Sequence, residues 1–304
     1  MNLIQKIKHA QTQEYWMIAY RKRNGAKHFY DEKLIQNLTL ISHKRYLTYA
    51  DPFLFEWEGE TWLFYEKQNL GTMHGELWCQ NLDNRKSKPC RILKENFHLS
   101  YPQIFRIGKT IYMIPESRNA DAIRLYICRK FPDKWEFTQT IKEIPAVDTT
   151  YFYAEDAGEG FFFTYKENCL YIYEASLEKD RPVMGECLYQ SPIDKTKRPG
   201  GFLFQEEEMW LRPSQYCENY YGEELIFQEI LHFPNAKDHI FLENEYARIK
   251  AENIMIPGRN IIGIHTYNQT KQYEVIDVLC CDSSPDVLLR KTFWVLREKL
   301  FGKH

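Results

Sequence analysis

Residues 49–66, YADPFLFEWEGETWLFYE, read as a β-hairpin: apolar side chains crowd 52–57 and 62–65, and Glu58-Gly59-Glu60 supplies the turn. The same grammar returns at 101–116, YPQIFRIGKTIYMIPE, with Tyr-Pro for Asp-Pro, Ile-Gly at the turn and a glutamate ending the second strand. The two hairpins lie about 50 residues apart, the length of a three- or four-stranded sheet module.

Further copies follow. A third strand after the first hairpin spans 75–82, and the second unit continues through 123–129 into a fourth strand near 135–137. A third unit opens at Val147-Asp148, turns at 157–160 and runs on to 169–175. A fourth reads RPGGFLF at 198–204, then 209–215 and 224–231; a degenerate fifth covers 253–256, 261–267 and 273–279. Five such units predict an all-β, five-bladed β-propeller over 1–285. The isolated aromatic run at 14–21 is expected to complete the fifth unit and close the ring, which removes exposed sheet edges. At 286–304 the apolar period becomes helical, with Arg290, Lys291, Arg297, Lys299 and Lys303 against Asp286 and Glu298. A short amphipathic basic helix is expected there, packed on the propeller or docked on a membrane surface or a partner enzyme.

The 304 residues carry a net charge of −2, so no global field favours a polyanion and nucleic acid is excluded as a partner. Eight cysteines lie mostly in strand-like apolar runs without the short spacings of a zinc site, which predicts free thiols, a reducing cytoplasmic setting and no metal motif. The first sixteen residues lack the apolar stretch of a signal peptide.

Applying the repeat to the polar residues gives the candidate site. The start of a hairpin's first strand and the end of its second share one rim. Asp51, Tyr101, Asp148 and Gly200 (beside Arg198) take the first position, and Glu66, Glu116, Thr164 or Tyr165, Gln215 and His265 the second. A propeller gathers such positions around its funnel, so carboxylates there can be driven apart in pKa, one a base and another a protonated acid, as making or breaking a glycosidic bond requires. Arg198, Arg212, Gln215 and His265 are candidates for holding sugar hydroxyls or an anionic group, and Tyr101, Tyr165 and Trp210 for stacking on a pyranose.

The blocks ADPFLFE, WLFYE, HLSYPQIF (with His98), MIPES, LYICRKFPDKW, VDTTYF, RPGGFLF, RPSQYCENYYG and GIHTYN resemble the propeller found at the N-terminus of plant glucosamine inositolphosphorylceramide transferases and in bacterial relatives. More distantly the chain is similar to the five-bladed propeller glycoside hydrolases of the arabinanase and xylosidase group. That likeness implies Asp51 as base, Glu116 or Glu66 as acid or substrate anchor, and Asp148 as the charge that tunes them. Arg198-Pro199-Gly200-Gly201 stands where those hydrolases place a glutamate, and Tyr101-Pro102-Gln103 where they tend to place an aspartate. The expectation is therefore a protein of cell-surface glycan biosynthesis. It would act on a glycan or activated sugar, with a sugar nucleotide as donor and no other cofactor, at the inner face of the membrane. A non-catalytic sugar-binding module and a glycoside hydrolase are the alternatives.

Overall fold

The computed structural model describes residues 12–42, 47–84, 86–154 and 159–283, together with Asp286, Val287, Leu289, Phe293 and Leu296. Strands β1 (Thr12–Lys22) and β2 (Thr39–Leu40) come first in the chain. The first blade is β3 (Leu47–Trp57), β4 (Glu60–Asn69), β5 (His74–Asn81) and β6 (Cys90–Leu93). The second is β7 (Ser100–Ile107), β8 (Thr110–Glu116), β9 (Ile123–Lys130) and β10 (Lys134–Lys142), and the third is β11 (Val147–Ala154), β12 (Glu159–Lys166), β13 (Cys169–Glu178) and β14 (Arg181–Gln190). In the fourth, β15 (Arg198–Pro199) and β16 (Phe204–Glu206) both pair with β17 (Met209–Tyr216), followed by β18 (Glu224–His232) and β19 (Leu242–Lys250). Strands β20 (Ile261–Gln269) and β21 (Tyr273–Ser283) complete the set. The result is an all-β five-bladed propeller in which each sheet is an antiparallel meander.

The fifth sheet runs β20-β21-β1-β2, with β1 and β21 paired from Thr12–Ser283 to Lys22–Tyr273. The third strand expected at 253–256 does not form: Ile254 makes one isolated parallel bridge to Ile35. The single strand expected at 198–204 is broken at Gly201, whose φ of 144° belongs to glycine and whose added Cβ would meet the Tyr267 carbonyl at 1.9 Å. The turn expected at 157–160 and the helix expected at 286–304 fall largely outside the described residues.

Blades adhere through apolar layers. Between the first two, Phe53, Phe64, Leu77, Ile104 and Met113 pack into one fully enclosed cluster, each such side chain contributing about 1.5–3 kcal/mol. Alternation along the strands sends these residues into the inter-blade layers and leaves the inner-strand starts to face the axis.

Candidate functional site

The inner strands share one irregularity. Each of β3, β7 and β11 carries a bulge near its start, between Ala50 and Phe53, Ser100 and Gln103, and Val147 and Thr150. Asp51, Tyr101 and Asp148 sit in these bulges at φ of 52°, 46° and 48°, a conformation costing a non-glycine residue about 1–3 kcal/mol. A bulged amide loses its ladder partner and needs another. Asp51 N–H donates to Asp277 Oδ2 at 2.8 Å and Tyr101 N–H to Asp51 Oδ2 at 3.1 Å, each finding a carboxylate from the preceding blade.

The matching bulge in the fifth blade lies between Ile264 and Tyr267, so His265 occupies the position of Asp51, at the start of a first strand, and not the second-strand position expected for it. The connections on either side of β18 and β19 are longer than those of the other blades, which shifts the count. His265 Nδ1 lies 2.7 Å from Asp277 Oδ1 and its Nε2 3.2 Å from Asp51 Oδ1. Burial alone would lower the imidazole pKa, but the two flanking carboxylates outweigh it and push it up to about 10. The same contacts hold Asp51 below its ordinary value despite burial. The ligand atoms of Asp51, His265 and Asp277 lie within 4.8 Å of one another, as a cation site would require. With both ring nitrogens engaged, however, the imidazolium itself supplies the positive charge there. Thr266 Oγ1 adds a bond to Asp51 at 3.1 Å.

Around this hub lies a more open rim. Glu66, within β4, and Glu116, at the end of β8, take equivalent places, paired in register with Ala50 and Ser100. Burial, then the charges of Asp51 and Glu116, push the Glu66 carboxyl well above the carboxylate range. For Glu116 burial and then Asp148 do the same, with Arg198 pulling the other way. Arg198 Nε donates to Asp148 Oδ2 at 2.5 Å, its Nη2 lies 3.7 Å from Glu116, and its guanidinium lies 4.8 Å from the centre of the Tyr221 ring. Gln215 Nε2 donates to Asp148 at 2.8 Å and to the Pro199 carbonyl at 2.7 Å. Two buried acceptors, Glu66 Oε1 and Gln215 Oε1, have no hydrogen-bond partner among the described residues. His98 lies beside Glu66, Nε2 to Oε1 3.4 Å, and its Nδ1 accepts from Gly75 N–H at 3.0 Å. Burial lowers the His98 pKa, which keeps the ring neutral. Gly75 is what permits this approach, since a Cβ there would come within 2.6 Å of Glu66 Oε1 and 2.8 Å of the His98 ring.

Asp51, Glu66, Glu116, Asp148, Arg198, Gln215, His265 and His98 are thus brought together. Four candidates are not placed as expected. Tyr101 is wholly buried, its ring edge-on to Phe53 and its hydroxyl bonded to Thr150 Oγ1 and to the Gly201 amide, so it plugs the channel and offers no stacking face. Arg212 projects to the other face of β17, three residues from Gln215, where Glu243 and the Lys197 carbonyl take its guanidinium. Tyr165 gives its hydroxyl to the Asp194 carbonyl and reaches only the edge of the site. Trp210 packs edge-on against Phe152 on the far side of the ring.

Other residues join the site without having been signalled. Asp277 hid in the apolar run of β21, where a lone buried aspartate was the available clue. Tyr221 comes from the connection between β17 and β18, packing its ring 5.1 Å from His265, and Trp16 stacks on the same imidazole at 3.9 Å.

Comparison with known proteins places these features. Three glycosidase-like structures share the fold: a GH43 enzyme from Xanthomonas citri complexed with xylotriose (TM-score 0.56, 9% identity, 81% of this chain and 90% of that one); the β-xylosidase RS223 (0.54, 10%, 78% and 93%); and an α-L-arabinofuranosidase from Podospora anserina in complex with cellotriose (0.55, 11%, 83% and 95%). In sequence, glucosamine inositolphosphorylceramide transferase 1 of Oryza sativa subsp. japonica is 28% identical over 60% of this chain and 26% of its own length. The Arabidopsis thaliana protein of that name is 26% identical over 74% of this chain and 29% of its own. The chain therefore spans between a quarter and a third of the length of these relatives. A family model described as glucosamine inositolphosphorylceramide transferase 1, N-terminal, matches residues 41–253. The chain belongs to that family, as its five-bladed propeller.

Proposed function

We propose that this propeller is a carbohydrate-active domain of cell-surface glycan assembly, taking a sugar into the rim of its funnel and catalysing glycosyl transfer or modification there. The supporting observation is the pairing of opposite environments in one funnel: the Asp51 carboxyl is held below its ordinary value by its His265 and amide donors, and burial and Asp148 push the Glu116 carboxyl well above its own despite Arg198. A neutral carboxyl can give a proton to a departing oxygen, which is the role of Glu116, while Asp148 fixes Arg198 beside it. Glu66, His98 and Gln215 present the remaining polar contacts. The sequence relatives are glucosamine inositolphosphorylceramide transferases and a structure of the same fold holds xylotriose, which supports a sugar as the ligand. A sugar nucleotide is the natural donor.

The test is to incubate the purified chain with sugar nucleotides and glycan acceptors and to follow the product by mass spectrometry. Glu116→Gln should lower the rate about 100-fold or more. Full activity in that variant removes Glu116 from the mechanism.

A second reading, a binding module without turnover, is favoured by the saturation of Asp51: Thr266, His265 and the Tyr101 amide already occupy its oxygens. It predicts ligand binding with no product. Hydrolysis by the three-carboxylate arrangement fits less well, because Arg198 stands at the fourth-blade position. The same proposal covers the chain ends. β1 is the strand that closes the ring, supported by its long register with β21, and the basic composition of the stretch at 286–304 suits it to hold the protein, in the cytoplasm, to a membrane surface or partner enzyme.

A further inference from the structure

We infer that the funnel mouth holds two sugar subsites side by side with Tyr221 as the wall between them, so that the ligand is a glycan of at least two residues. This rests on the carbohydrate reading above and deepens it. Two cavities open on the face where the inner strands begin. One, of about 620 Å³, lies between the fifth and first blades and is lined by Tyr15, Trp16, Leu70, Met73, Tyr220 and Tyr221. The other, of about 310 Å³, lies beside the third and fourth blades, with Asn168, Lys195, Arg198 and Asn219 in its lining and the same two tyrosines as its boundary.

Tyr221 stands between the two cavities. The residue is 44% exposed, with the Arg198 guanidinium over its ring and the His265 imidazole set edge-on to it. Its hydroxyl makes no hydrogen bond among the described residues, although it lies within the fields of Arg198, Asp51, Asp148 and Glu116. A phenol so placed, with no internal partner, is free to bond a sugar hydroxyl.

The two cavities differ in chemistry in the way two faces of a glycan do. In the smaller, amide, ammonium and guanidinium donors converge; Lys195 has only a 3.5 Å contact to the Glu218 carbonyl. Those groups suit the hydroxyl-rich edge of one ring, and the volume is at the lower limit for small-molecule pockets, about 300 Å³. In the larger, Trp16 is held rigid. One face lies on the His265 imidazolium at 3.9 Å and 28°, and the edge abuts Gly222, where an added Cβ would come within 2.4 Å of the indole. A fixed indole among tyrosines offers the flat apolar surface that the C–H face of a pyranose covers. Because the cavities share a wall, rings seated in them lie in sequence along one chain.

The experiment uses the full chain on an array of defined mono-, di- and trisaccharides, followed by calorimetry with the best oligosaccharide, its terminal monosaccharide and the octyl glycoside of that monosaccharide. The oligosaccharide should bind about 10-fold or more tightly than the monosaccharide, and Trp16→Ala should bring that ratio close to one. Trp16 packs against the hub, so a variant that fails to fold is replaced by saturation-transfer NMR on the unaltered protein. Protons of both sugar residues should then take up saturation from aromatic rings. Equal affinity for mono- and oligosaccharide, saturation confined to one residue, or an octyl chain giving the same gain as a second sugar each overturns the inference while leaving sugar binding intact. No arrayed glycan bound at all overturns the carbohydrate reading with it.

Discussion

The hub and the rim of the funnel are made of the same residue types and behave in opposite ways. In the hub, Asp51, Asp277 and His265 satisfy one another and the bulged backbone, and each is almost wholly buried. At the rim, the Glu66 and Glu116 carboxyls are pushed well above the carboxylate range by burial and neighbouring carboxylates, Gln215 and Glu66 keep an unmatched acceptor, and Arg198 and Tyr221 reach solvent. The contrast separates acidic residues that hold five blades together from acidic residues left available to a ligand. Position in the repeat does not make that separation; hydrogen-bond saturation does.

The comparison is broken most severely at the hub. Asp51→Asn should destabilise the fold by about 3–5 kcal/mol, read from denaturant unfolding, because it leaves the His265 imidazolium short of a buried counter-charge. The variant is therefore a test of architecture and a poor test of catalysis. Alkaline titration attacks the same contact. A pKa raised to about 10 contributes stability that is complete below the unfolded value near 6.5 and is lost as pH rises through 10. Unfolding midpoints should accordingly fall between about pH 6.5 and 10, with the fall absent in His265→Gln.

Next in size is the rim acid. Glu116→Gln, nearly isosteric with the protonated side chain, should cut turnover about 100-fold, or about 2.7 kcal/mol, with no loss of melting temperature at neutral pH. A large loss of stability instead would move Glu116 into the hub. Arg212→Met sharpens the contrast from outside the funnel. By leaving the buried Glu243 with Lys197 alone as its cation, it should lower stability measurably while ligand affinity stays at the wild-type value in calorimetry.

The smallest effect distinguishes Glu66. Its raised pKa means that the folded chain binds more protons than the unfolded chain above pH 4.5, so stability falls as pH rises from there toward the folded value. Glu66→Gln should abolish this slope, gaining on the wild type by about 1.4 kcal/mol for each pH unit crossed. Thermal melts of both proteins from pH 4.5 to 8 would show it, and parallel curves would contradict it.

Much of this was legible before any coordinates. The hairpin at 49–66 and its echo at 101–116 announced the first two blades because their strand cores, such as Phe53-Leu54 against Leu63-Phe64, pair locally across a short turn. The carboxylates at Asp51, Glu66, Glu116 and Asp148 were found for the same reason: their place is set by hairpin register. His265 was assigned to the wrong strand because the fourth blade, with longer connections on either side of β18 and β19, does not keep the repeat length. Tyr101 shared the position of Asp51 but not its environment, since its bulk reaches across the axis to Gly201. Trp16, Tyr221 and Asp277 enter from three separate parts of the chain, and no local pattern links them.

Whether the funnel carries acid–base chemistry rests on Glu116 being neutral while Asp51 is ionised. Carboxyl-carbon NMR of the glutamate-labelled protein, with Glu116 assigned by the Glu116→Gln spectrum, reads this directly. The account predicts a protonated Glu116 at pH 7 with a titration midpoint well above that of an ordinary glutamate. A carbon that titrates near pH 4.5, leaving Glu116 ionised at neutral pH, would contradict it.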